Sequence, residues 1–162
     1  MKIRLVLADD HKLFRDGLRS MLQAHKSIEI AGEASDGPSA VKLAIELRPD
    51  IVLMDVSMPD LNGIEATRKI IADNPAIRII MLSMHSDRRY ITEALRSGAR
   101  GYLLKDSAFG EVLSAIRDCM NDKVYLSTRI ADIVINDYIS LARGADSSAF
   151  AILSAREREV LQ

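Results

Sequence analysis

The most restrictive feature of this sequence is the stretch Asp50-Ile-Val-Leu-Met-Asp-Val-Ser-Met-Pro-Asp60. Its apolar run, Ile51 to Met54, follows a turn signal at Arg48-Pro49-Asp50 and ends abruptly in Asp55. A short apolar run bounded in this way reads as a strand buried on both faces, the kind a parallel sheet contains. Such a strand can present a polar group only at its end, so Asp55 is the residue that needs a reason. A lone aspartate after a strand more often caps a turn than reacts. The other strand ends of this chain shift that balance.

Ile3 to Ala8 is a second apolar run, and it halts at Asp9-Asp10. Phe14, Leu18, Met21 and Leu22 then recur at helical spacing, giving strand, acidic turn, helix. Ile28 to Ala34 reads as a strand, and Asp36-Gly37-Pro38-Ser39 as a turn with a helix start before Val41, Ala44, Ile45 and Leu47. After the Asp55 strand, Pro59 to Gly63 forms a loop, and Ile64, Thr67, Ile70 and Ile71 mark a helix that Asn74-Pro75 stops. Ile77 to Leu82 is the fourth strand and ends at Ser83. A helix from Asp87 to Ser97 closes on Gly98, which holds the position of a C-terminal glycine cap. Arg100 to Leu104 is a fifth strand ending at Lys105, and Ser107 to Asn121 is the helix after it.

Five strands alternating with five helices over about 120 residues predict an α/β fold with a parallel sheet covered on both faces. The common five-stranded doubly wound arrangement is flavodoxin-like, with strand order 2-1-3-4-5. There the first and third strands are neighbours at the switch point, where a ligand crevice opens outside the carboxyl ends. Asp9 and Asp10, Asp55, Ser83 and Lys105 all fall at such ends.

Composition narrows the chemistry. The chain's 162 residues are 48% hydrophobic and 28% charged, enough for one full core and a small appendage. A formal net charge of −1 gives no global attraction to nucleic acid or to an acidic membrane surface, so charge-driven chemistry here is local. The single Cys119 excludes an internal disulfide and lies in an apolar helical pattern, which fits a buried thiol in a reducing compartment. The N-terminus runs directly into a strand without a signal-peptide pattern, and no apolar run reaches the ~18 residues that span a bilayer. A soluble, cytoplasmic protein without membrane partners is the expectation.

Three carboxylates held together repel, each pair by roughly 4 kcal/mol at ~4 Å and an effective dielectric of ~20. A hard divalent cation relieves this, and a small oxygen ligand set with room for water suits Mg2+. Lys105 adds a point charge, and the site then has positive charge to spare for an anion. A phosphoryl group fits, because its transfer needs positioning and charge neutralisation more than acid–base groups. Asp55 is the nucleophile of choice, with Ser83 and Lys105 placed to hold the transferred oxygens. His11, alone beside an acidic pair with no cysteine near, reads as a solvent-facing helix-start residue rather than a zinc ligand. His25 reads as surface.

Ala8-Asp-Asp-His-Lys-Leu-Phe-Arg-Asp-Gly-Leu18, Asp50 to Gly63 and Gly98-Ala-Arg-Gly-Tyr-Leu-Leu-Lys105 together resemble the receiver domain of bacterial two-component response regulators, particularly the NarL/FixJ subfamily. The resemblance covers residues 1–123. It implies Asp55 as the phosphoacceptor from a sensor histidine kinase, Asp10 as a direct Mg2+ ligand, Asp9 as a ligand through water, and the Ser57 backbone carbonyl as a further ligand. It implies Ser83 and Lys105 as phosphoryl-stabilising residues, Tyr102 as the switch aromatic, and Met84 and His85 as residues controlling access. One departure is Asp106, which stands where many such domains have a proline. The expected protein is not an enzyme in the turnover sense, and phosphorylation is expected to promote a homodimer.

Beyond the receiver, residues 124–150 read as a linker containing a helix, with Ile130, Ile133, Val134, Tyr138 and Leu141 at helical spacing and Arg143 to Ser148 small, polar and flexible. Residues 151–162 resemble the truncated start of a LuxR-type helix-turn-helix domain, opening on the capping box Ser154-Ala-Arg-Glu157. DNA contact is therefore expected only through a domain missing from this chain. Two rival readings are weaker. A haloacid-dehalogenase-type phosphatase would carry an acid two residues after its nucleophile, where this chain has Ser57, and a nucleotide- or flavin-binding module would not place Asp9-Asp10 at its phosphate loop.

Overall fold

In the computed structural model the apolar runs become strands whose ends lie along one edge of a sheet. The backbone is described for residues 2–161 and the side chains for residues 2–144. The strands are β1 (Ile3–Ala8), β2 (Ile28–Ala34), β3 (Ile51–Asp55), β4 (Arg78–Ser83), β5 (Gly101–Leu104) and β6 (Tyr125–Leu126). They pair in the order β2-β1-β3-β4-β5-β6, and every pairing is parallel. The helices are α1 (Lys12–Gln23), α2 (Gly37–Leu47), α3 (Gly63–Asp73), α4 (Arg88–Arg96), α5 (Ala108–Met120) and α6 (Thr128–Leu161).

Alternate side chains of each strand enter opposite cores, as the twofold period of a strand requires. Leu5, Leu53, Leu82 and Leu103 pack with Leu18 of α1 and Ile116 of α5. Val52, Met54, Met81 and Tyr102 pack on the other face with Ala44, Ile70 and Ile91 from α2, α3 and α4. Ile51 to Met54 are fully buried, which explains why their sequence shows no polar alternation. Helix starts follow local chemistry. Asp36 accepts a hydrogen bond from the Ser39 backbone N–H at 2.8 Å, Asn62 from Glu65 at 2.9 Å and Asp87 from Arg89 at 2.8 Å. Gly98 has φ +107°, a conformation that suits glycine just past a helix end.

The sheet has six strands rather than the five expected. β6 is only two residues long and pairs with β5 through Gly101 opposite Tyr125 and Tyr102 opposite Leu126. Side chains hold it there: Glu111 of α5 accepts hydrogen bonds from Tyr125 Oη at 3.0 Å and Ser127 Oγ at 2.8 Å. The segment read as a linker also differs. Backbone helix runs without a break from Thr128 to Leu161, through Arg143 to Ser148 and across the proposed start at Ser154. Ile130 is buried, and Ile133 and Val134 pack on the core, whereas Tyr138 and Leu141 are exposed. The capping box at Ser154 to Glu157 and the helix-turn-helix reading of 151–162 lie outside the described side chains.

Gly63, the first residue of α3, sets the return of the chain after β3. Its N–H donates to the Val56 carbonyl at 2.8 Å, and a Cβ there would overlap the carbonyl oxygen of Asp55. Backbone, unlike a flexible side-chain tip, has no easy way to yield. Gly63→Ala should therefore cost about 2–3 kcal/mol in stability, the size of an overpacked core. Urea unfolding checks this, and a loss within 0.5 kcal/mol, roughly that of a neutral surface change, would mean that the approach is not tight.

Candidate functional site

Sheet register brings the polar strand ends together. Ala8 lies opposite Met54, Asp55 opposite Leu82 and Ser83 opposite Leu104, so Asp9, Asp55, Ser83 and Lys105 emerge at one level of the carboxyl edge. Asp9, Asp55, Ser83 and Lys105 are buried, and Asp10 is exposed at the rim. Lys105 Nζ lies 2.8 Å from Asp9 Oδ2 and 3.2 Å from Asp55 Oδ2. These are ion-pair distances, yet neither Oδ2 receives a properly directed hydrogen bond. One ammonium shared off-line between two buried carboxylates leaves negative charge uncompensated.

That imbalance appears in the titration of Asp55. Burial is the largest cause pushing its carboxyl up, to about 7, and the charge of Asp9 adds to it, while Lys105 opposes. The Ser57 backbone N–H donates to Asp55 Oδ1 at 3.2 Å and also favours the ionised form. Ser57 and Asp10 line a cavity of about 450 Å3, bordered also by Met58, Pro59, Asn62 and Tyr90.

The residues expected to stabilise and read out a phosphoryl group converge on one loop residue. Ser83 Oγ accepts a hydrogen bond from the His85 N–H at 2.9 Å, and Tyr102 Oη donates to the His85 carbonyl at 3.0 Å. Tyr102 is fully buried, so its ring already lies inward in this structure. The His85 ring stacks on Tyr90, with centroids 5.1 Å apart, and Met84 is exposed. The peptide bond between Lys105 and Asp106 is trans. His25 is exposed and Cys119 buried, as the sequence suggests. Burial raises the Cys119 thiol to about 11, which keeps it protonated.

His11 is exposed at the helix start, as the sequence suggests, but its reach toward the acidic pair was not foreseen. It does precede α1, but its ring turns into the pocket, with Nδ1 3.1 Å from Asp9 Oδ1 and 3.3 Å from Asp10 Oδ1. The available signal was its position directly after the acidic pair, in the turn that leaves β1. The side chains that could hold a cation are Asp9, Asp10, His11 and Asp55, each offering one atom within 4.8 Å of the others. Hard oxygens, two of them buried and without a hydrogen bond, fit a divalent ion such as Mg2+.

The family model described as Response regulator receiver domain matches residues 5–117. The chain belongs to the response regulator receiver family. Relatives of this receiver agree along nearly its whole length. The response regulator UvrY of Escherichia coli (strain K12) is 40% identical over 159 residues, covering 98% of this chain and 72% of the relative. The transcriptional regulatory protein DegU of Brevibacillus brevis is 34% identical over 174 residues, covering 99% of this chain and 74% of the relative. A solved LuxR-family two-component response regulator from Aurantimonas sp. SI85-9A1 superposes with a TM-score of 0.81 at 33% identity, over 86% of this chain and 99% of that one. The receiver is thus a two-component signalling domain related to transcriptional regulators. No helix among the described residues is long and apolar enough to cross a membrane.

Proposed function

We propose that this receiver takes a phosphoryl group onto Asp55 from the phosphohistidine of a sensor kinase and uses it to change its own self-association. The observation that carries the reading is the buried Asp55 carboxylate lying 3.2 Å from Lys105 Nζ, in one cluster with Asp9 and with Asp10, which lines a cavity. Asp9, Asp10, Asp55 and the Ser57 backbone carbonyl would hold Mg2+. When bound, such an ion would supply positive charge that offsets the repulsion among these carboxylates.

An Asp55 carboxylate oxygen attacks phosphorus as the phosphorus–nitrogen bond of the donor breaks, and the electron pair leaves with the imidazole. Lys105 then exchanges its contact with Asp55 Oδ2 for a phosphoryl oxygen. Ser83 can reach another only by giving up the His85 N–H, and the same His85 holds Tyr102 through its carbonyl. Movement of Ser83 is in this way tied to the loop that leads into α4, and differential contacts of that kind are what shifts a two-state equilibrium. The reaction stops at one phosphoryl group per chain and slow hydrolysis, so the protein is a switch and not a turnover enzyme. Its setting is the cytoplasm, where a kinase would meet it, and its DNA contacts belong to a further domain of the kind that transcriptional regulators carry.

Incubation with acetyl phosphate and Mg2+, followed by intact mass and light scattering, tests the reading. Uptake should saturate near one phosphoryl group per chain and shift the chain toward dimers. Ser83→Ala should still accept the group but show at most about a third of the dimer shift, because the contact that rewards the switched state is missing. Continuous release of phosphate from a phosphomonoester would point to a phosphatase instead. An undiminished dimer shift in Ser83→Ala would remove Ser83 from the coupling.

A further inference from the structure

Glu111 of α5 receives more donors than a helix start needs. Ser107 Oγ and Ser127 Oγ both donate to its Oε2 at 2.8 Å, and Tyr125 Oη donates to its Oε1 at 3.0 Å. Burial pushes the Glu111 carboxyl up, but the hydroxyls of Ser127, Ser107 and Tyr125 together outweigh burial and hold it below its usual value. The three donors come from the turn before α5, from β6 and from the residue that precedes α6. Ser107 is the N-cap of α5 yet makes no side-chain capping bond, because its hydroxyl is turned to Glu111 instead.

Two of these partners bracket Lys105. Ser107 follows it by two residues. Ser127, 3% exposed, accepts the Leu104 N–H on its Oγ at 3.3 Å and donates its own N–H to the Tyr102 carbonyl at 3.1 Å. Asp106-Ser107 is a turn without proline's fixed φ, and a cavity of about 280 Å3 lies against Leu104, Ser107, Glu111 and Ser127. Packing alone therefore does not hold this turn. Lys105 must nevertheless keep its ammonium 2.8 Å from Asp9 and 3.2 Å from Asp55, and a flexible four-carbon stem does so reproducibly only from a fixed backbone. Tyr125 and Ser127 lie outside residues 5–117, the part that the receiver family model matches.

We propose that Glu111, acting through Ser107 and Ser127, is the positioning residue of Lys105, and that the root of α6 is in this way part of the phosphoryl site. The proposal rests on the phosphoacceptor reading for its effect on rate, but not for the placement of Lys105. Glutamine at 111 preserves the clasp, since its carbonyl oxygen accepts from both serines and its amide donates to Tyr125 Oη. Leucine removes every acceptor. Ser127→Ala cuts only the branch to Leu104, and Tyr125→Phe leaves both serines bonded.

The test measures two quantities in the whole chain: amide hydrogen exchange at Leu104, Lys105 and Leu53, and the rate of phosphorylation by saturating acetyl phosphate with Mg2+. Leu53, in the middle of the sheet, reports global opening. In Glu111→Leu and Ser127→Ala the Leu104 and Lys105 amides should exchange about tenfold faster or more relative to Leu53, because the loosening is local. Phosphorylation should slow about five- to tenfold in both variants and stay within about twofold of wild type in Glu111→Gln and Tyr125→Phe. Ser127→Ala loses a single hydroxyl and carries the test should Glu111→Leu not fold. Unchanged relative exchange at Lys105 in Ser127→Ala, or a rate in Glu111→Gln as low as in Glu111→Leu, would overturn the proposal. Loosened amides with an undiminished rate would overturn it as well, since Lys105 would then act without the clasp. If the wild-type chain takes up no phosphoryl group while the amides loosen as expected, Glu111 stands as the residue that places Lys105 and the phosphoacceptor reading falls.

Discussion

In chelator at about pH 7.5, Asp55→Asn should melt about 5–10 °C above the wild-type chain. The folded Asp55 carboxyl is pushed up to about 7 from an ordinary 3.8, so its ionised form is held at a cost that the unfolded chain does not bear. A folded value above the unfolded one means that this carboxyl supports folding fully below about pH 4 and loses that support as pH rises through about 7. Asparagine keeps the shape and never ionises. Its advantage over wild type should therefore be largest near neutrality and should shrink toward pH 4, at a maximum of about 2–3 kcal/mol once partial compensation by Lys105 is allowed for. Thermal melts of both chains across that range check the sign. An asparagine variant that melts lower at neutral pH, or whose advantage grows in acid, would contradict the crowded-carboxylate account.

Lys105→Met should have the opposite effect, and a large one. Lys105 is 7% exposed, contacts both buried carboxylates and also lies 4.9 Å above the Phe14 ring. Methionine can fill the stem's volume but leaves Asp9 and Asp55 without their cation. Breaking a buried pair from one side costs about 3–5 kcal/mol, which corresponds to a fall in Tm on the order of 10 °C. Protonation of a carboxyl limits the loss, so it should be smaller at low pH. The double variant Lys105→Met with Asp55→Asn should recover much of the stability, since the two changes share one pocket and do not add. Mg2+ should stabilise Lys105→Met more than wild type, because no ammonium then opposes the ion. Additive losses in the double variant, or no loss in Lys105→Met, would show that the lysine is not the partner of these acids.

The sheet order and the identities of Asp9, Asp10, Asp55, Ser83 and Lys105 were legible in the sequence for one physical reason. A strand buried on both faces shows polarity only at its end, and parallel pairing puts all carboxyl ends on one edge. Nothing comparable marks β6. Two residues have no period, and Tyr125 and Leu126 are held by the Glu111 hydrogen bonds and the pairing with β5, which arise only after folding. The helix beginning at Thr128 was legible from its apolar spacing, but its continuation past Ala142 was obscured by composition, since the small and polar residues from Arg143 argue for a flexible link on local propensity alone. The ring of His11 could not be placed because the turn after β1 sets its direction. There φ is −86° and ψ is 96°, and neither angle is written in the residue type.

The most direct test of the central claim locates the phosphoryl group. After reaction with acetyl phosphate and Mg2+, peptide mapping of the acyl phosphate should place one group on Asp55 in the wild-type chain. Asp55→Asn, shown by its melt to be folded, should take up none. Uptake by Asp55→Asn at the wild-type rate, or a wild-type adduct on any residue other than Asp55, would contradict the account.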